Sequence, residues 1–260
     1  MATTKVLEWL QKTGFPLEMQ AAQAFRSAGF DVRQSFTYLD PELAKGREID
    51  VLAQDPDWLG VIEVSFVIEC KASTNPWVVL TSNDALSNYN SLFAFAVTSS
   101  AAKNALRNKV FKDLGLLSPY IKRDSHGGYG FRQAFGKDND PAYAAAIGAI
   151  KACAGVAQDR NSPDIPRLAF AFPVIVVDAP LYECALTNDG ELQLTEVEQS
   201  EFLFSAHIPE YVGTCIKVVT KAKLQEFAQW AKQLANCIRE ELKSEEERAY
   251  QTKDTEDESA

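Results

Sequence analysis

The chain has 260 residues, 46% of them hydrophobic and 24% charged, with a formal net charge of −10. This balance excludes a disordered polypeptide and supplies enough apolar material for a sizeable core. No apolar run reaches the roughly 18 residues needed to span a bilayer and no basic-then-apolar leader opens the chain, so a cytoplasmic protein without a membrane partner is expected.

In chain order, residues 3–12 have the spacing of a short amphipathic helix closed by Gly14. A second helix is predicted from Pro16 to Ala28, with Leu17, Ala21, Ala24, Phe25 and Ala28 on one face and Gly29 as its stop. Strand signals follow at Val32–Leu39, Glu48–Gln54 and Val61–Ala72, the last two joined by the turn-forming 55–60 segment. Together they predict a three-strand meander. Residues 83–113 have helical spacing, whereas the glycine-rich 118–141 stretch predicts a loop. An alanine-rich helix is expected over Ala142–Gln158, and Arg167–Asp178 has the continuous apolar run of a strand buried on both faces. Asn188-Asp189-Gly190 predicts a hairpin turn, Cys215–Val219 a last short strand, and Leu224–Leu242 a long amphipathic helix.

This order predicts an α/β fold: a central mixed β-sheet flanked by helices on both faces. It suits one domain over 1–242, followed by a solvated acidic tail, 243–260. From 241 onward eight acids stand against three bases, whereas Lys103 to Lys137 carries eight bases against two acids. That basic stretch is either a strip facing phosphate or a solvated helix face plus a loop. The five cysteines are widely spaced and form no CxxC pair, which argues against a zinc site or a disulfide framework. The 224–242 helix carries apolar positions near heptad spacing, so it can pair with a second copy as a homodimer or pack on its own sheet.

The chemistry concentrates around Glu69-Cys70-Lys71. Residues 69 and 71 share one face of a strand whose Phe66-Val67-Ile68 segment is anchored in the core. Asp50 interrupts the neighbouring apolar strand in the same way. Two carboxylates brought together repel each other unless a cation lies between them, and a hard divalent ion with oxygen ligands suits the place. Asp50, Glu69 and the Cys70 carbonyl would then hold Mg²⁺ or Mn²⁺, while Lys71 orients a water or offsets transition-state charge.

Asp50, an 18-residue gap and Glu69-x-Lys71 at the end of an apolar strand resemble the PD-(D/E)xK, restriction-endonuclease-like superfamily. The likeness spans roughly 14–80 and is closest in look to Mrr-like restriction enzymes and Holliday-junction resolvases. Ile49 stands where the motif's name has proline. The resemblance implies a restriction-endonuclease-like core and a metal-dependent endonuclease cutting DNA, RNA not being excluded, in restriction, phage defence or repair. It also implies that Glu18, opening the helix before the first strand, completes the metal site. Ser73, Lys103, Arg107, Lys122, Arg123 and Arg132 are the candidate nucleic-acid contacts. The plainer alternatives are a surface ion pair for Glu69 and Lys71, a turn residue for Asp50, and a first-turn helical acid for Glu18. A module that keeps the fold but only binds nucleic acid or protein is the competing function.

Overall fold

The computed structural model describes residues 2–40, 42–43, 45–57, 60–110, 112–136, 140–158, 167–208 and 210–257, the last nine as backbone alone. Lys137 of the expected basic strip and part of the 55–60 turn lie outside the described residues. Helices α1 (Ala2–Leu10) and α2 (Phe15–Ser27) precede the meander β1 (Asp31–Leu39), β2 (Gly46–Gln54) and β3 (Ile62–Lys71). Next come β4 (Trp77–Ser82), α3 (Ser91–Phe95), β5 (Val97–Thr98), α4 (Ser100–Val110), α5 (Ser118–Ile121) and β6 (Gly127–Gln133). The chain continues through α6 (Pro141–Ala157), β7 (Leu168–Val177), the hairpin β8 (Leu181–Leu186) and β9 (Leu192–Val197), β10 (Gln199–Ile208), β11 (Glu210–Thr220) and α7 (Leu224–Asp257).

The strands form one mixed sheet in the order β1-β2-β3-β7-β11-β10-β6-β4-β8-β9, with β5 paired to β7. β7 is buried at every position and runs parallel to β3 and β11 on either side. That burial explains its unbroken apolar sequence. On one face β3 and β7 pack against α2, α4 and α7, with Phe25, Phe66, Phe172 and Phe227 among the contacts. On the other, α6 lies over the sheet through small residues such as Ala145, Ala146 and Ala149. The α/β architecture with helices on both faces is therefore as expected.

Four features differ from the sequence reading. The 118–141 stretch contains α5 and β6, because Gly127 and Gly128 admit close neighbours: a Cβ on Gly128 would come within 2.4 Å of the Glu201 carbonyl oxygen. β4 and β10 were not foreseen, and β11 is twice the expected length; β4 draws its pairing from distant β6 and β8, whereas β10 and β11 form a long hairpin that β7 and β6 extend on either side. α7 continues through Asp257 instead of giving way at 243 to a solvated tail, since glutamate, lysine and arginine readily propagate a helix already nucleated. Finally, the α7 stripe Leu224, Phe227, Ala231, Leu234, Ile238 and Leu242 is buried in the chain's own core, so no apolar seam remains there for the homodimer considered above.

One irregularity positions the site. In the β1–β2 ladder Gln34 pairs with Val51 and Phe36 with Ile49, while Ser35 and Asp50 between them drop out. Ser35 has φ of 51°, the left-handed region that costs a non-glycine residue about 1 kcal/mol. Both strands change faces there. Val32 and Val51 pack in the α2/α7 core, whereas Phe36, Tyr38 and Ile49, which regular alternation would put beside them, pack in the α6 core. Beyond this point the hairpin leaves β3, and the β2–β3 ladder ends at Val51–Ile68.

Candidate active site

Where β2 leaves β3, the next backbone donor of β3 has no strand partner on that side. The Asp50 side chain supplies the acceptor instead: the Cys70 amide donates to Asp50 Oδ2 at 2.7 Å. Glu69 and Lys71 extend from the same face of β3, and Lys71 Nζ donates to Glu69 Oε1 at 2.6 Å. β3 is an interior strand and both side chains are less than one-third exposed, so this is not the edge-strand surface pair of the plainer alternative. α6 passes overhead at Gly148, whose missing Cβ would lie 4.0 Å from Glu69 Oε2. Among the described residues, Asp50 Oδ1 and Glu69 Oε2 accept no hydrogen bond.

Glu18 stands in the first turn of α2, as the resemblance implied. Burial raises its carboxyl above the ordinary range, and the negative charges of Asp50, Glu48 and Glu69 raise it further. Asp50 is raised by burial, against the opposing Cys70 amide and Lys71. Glu69 is raised by burial and by Asp50, with Lys71 opposing. Burial and the same three acids also push the Cys70 thiol up, which keeps it an inert neutral group. Four acids and one amine thus share one electrostatic neighbourhood. Glu48 is the member the sequence reading missed; the face change at Asp50, which alternation along β2 does not reveal, turns it towards Glu18. Tyr38, pushed up to about 12 by burial and then by Asp40, borders the group from the α6 side.

The donors suit a hard divalent cation in kind: carboxylate oxygens, mutually repelling, beside a strand-end carbonyl. As the side chains stand, no three His, Cys, Asp or Glu residues among the described residues are grouped closely enough to hold a metal ion.

The candidate nucleic-acid contacts do not form one strip. Ser73 lies two residues beyond Lys71, and its hydroxyl accepts from the Gln133 amide at 2.8 Å, which brings exposed Arg132 of β6 near the segment that follows β3. Lys103 and Arg107 lie on α4, whose start is tied to Arg167 and Ala169 at the opposite end of β7. The eight steps from Ala169 to Val177, which pairs with Lys71, span roughly 26 Å at strand rise. Lys122 is exposed, but the adjacent Arg123 is engaged by Glu201, which also binds Lys217. Glu63 alternates onto the face of Glu69, six residues earlier on β3, and is held there by Arg167.

No family model, curated protein or solved structure matches the chain. Among the described residues no helix is long and apolar enough to cross a membrane.

Proposed function

We propose that the chain is a divalent-metal-dependent nuclease that hydrolyses DNA phosphodiester bonds on a restriction-endonuclease-like core. The observation that carries this reading is the gathering of Glu18, Asp50, Glu69 and Lys71 where β2 leaves β3, with each acid pushed up by burial. The open oxygens of Asp50 and Glu69, with Glu18 and the Cys70 carbonyl, would hold Mg²⁺ or Mn²⁺. Such an ion, when bound, lowers the pKa of a coordinated water and polarises the phosphate. Lys71, tethered to Glu69, directs its ammonium toward the attacking water or the negative charge that develops on the phosphoryl oxygens. Ser73 and Arg132, drawn together by the Ser73–Gln133 contact, steady the substrate backbone; a chain of net charge −10 needs such local positive groups to approach DNA.

The test is a panel of linear, supercoiled, single-stranded, branched and methylated DNA, together with RNA, incubated with Mg²⁺, Mn²⁺ or EDTA. Metal-stimulated cleavage that EDTA abolishes, and that Asp50→Ala and Lys71→Ala remove without unfolding, is the expected result. A second reading, a nuclease-fold module that binds nucleic acid or protein without cutting, is favoured by one observation: Lys71 and the Cys70 amide already satisfy an oxygen of each strand acid. Binding of DNA with no metal-stimulated cleavage of any panel member would establish that reading and end the first.

A further inference from the structure

A second site lies on the α2/α7 side of the sheet, away from the strand acids. A cavity of about 320 Å³ opens between α5, α7 and strands β7, β10 and β11. This is the lower end of the roughly 300–1,000 Å³ range of small-molecule sites. Its walls are aromatic. Tyr120 and Trp230 approach with ring centroids 5.8 Å apart, and Trp230 is braced from behind by Phe227, stacked at 5.3 Å. Phe95 and Phe172 close the other side, edge to face at 5.3 Å.

The polar lining is ionised and uneven in sign. Glu201 receives Arg123 on Oε1 and Lys217 on Oε2. Burial pushes its carboxyl up, but the two cations outweigh this and hold it below the usual range, so the group is anionic at neutral pH. Two cations therefore meet one anion. Both carboxylate oxygens are used, yet guanidinium and ammonium together carry eight N–H donors. Among the described residues, one of these, Arg123 Nε, is buried and has no hydrogen-bond partner. Arg123 and Lys217 each keep part of the side chain accessible and both line the cavity, so their remaining donors are open to an acceptor from outside the chain. Lys217 Nζ also lies 5.3 Å from the Trp230 ring centroid, so positive charge and a flat aromatic face stand side by side.

We propose that this cavity binds a small planar aromatic monoanion, its ring packed between Tyr120, Trp230 and Phe172 and its acid group taken by Arg123 and Lys217. Volume limits the ligand to one or two fused rings. The surplus of one positive charge fixes a single acid group, and Glu201 disfavours a dianion. The inference does not depend on the nuclease reading.

Matched acids and amides decide it: indole-3-acetate against indole-3-acetamide, and 4-hydroxybenzoate against 4-hydroxybenzamide, titrated into the full chain by calorimetry. At least one acid should bind with Kd below about 1 mM, and its amide at least tenfold more weakly, equivalent to about 1.4 kcal/mol. Lys217→Met, checked for folding by circular dichroism, should bring the acid to the affinity of the amide. Absence of binding by both acids below about 1 mM, or equal binding of acid and amide, overturns the proposal. Unchanged acid affinity in folded Lys217→Met does so too. Should that variant fail to fold, the wild-type acid–amide comparison alone decides.

Discussion

Removing the Asp55 carboxylate tests how the strand pair that carries Asp50 and Glu69 is anchored. Asp55 immediately follows β2, its side chain is 2% exposed, and it receives Lys232 on one oxygen and Arg239 on the other, both from α7. Asp55→Ala would strand two cations under that helix. Breaking a fully buried pair costs about 3–5 kcal/mol. Here Arg239 retains Asp57 at 3.3 Å and the Asp55 carbonyl at 3.2 Å, and both cations are about one-quarter exposed, so the expected loss is about 3 kcal/mol. For a chain of this size that lowers Tm by about 6–12 °C. Asp55→Asn, which keeps an acceptor, should lose about half as much. Calorimetric melting and urea unfolding measure both variants. A loss under about 1 kcal/mol for Asp55→Ala, the value of an exposed pair, would refute the idea that this ion cluster locks α7 to the sheet.

Other outcomes follow from the site and its surroundings. Lys71→Met should lower metal-dependent cleavage by about a hundredfold or more, while Mn²⁺ binding, read by calorimetry, persists. Asp50 is raised from its usual 3.8 by burial, so its ionised form is disfavoured in the fold. That cost is absent below the unfolded value, grows as pH rises through the folded value, and is complete at neutral pH. Asp50→Asn should therefore raise the urea midpoint in EDTA at pH 7, with the gain vanishing towards pH 3; a gain independent of pH would contradict the assignment. Gly128→Ala, whose Cβ would meet the Glu201 carbonyl oxygen at 2.4 Å, should cost about 3 kcal/mol in urea unfolding, whereas a residue in a free loop would tolerate it.

The sequence by itself determined the elements whose signals are local. The meander β1–β3, the strand β7 buried on both faces, the 188–190 turn and the apolar stripe of α7 depend on periodicity and turn chemistry that a few adjacent residues carry. The alternation of Glu69 and Lys71 on an otherwise apolar strand marked the candidate site for the same reason. Tertiary structure alone decided the rest. β4 and β6 are strands because distant segments offer them pairing, a long-range energy invisible in a window of ten residues. The basic residues from Lys103 to Arg132, contiguous in charge, are dispersed: β5 and α4 fold back on the start of β7, Arg123 is held by Glu201 of β10, and Arg132 lies near the segment after β3. The face change at Ser35 and Asp50 belongs to two strands at once: it needs a left-handed residue on one and a carboxylate that can replace a lost ladder partner on the other.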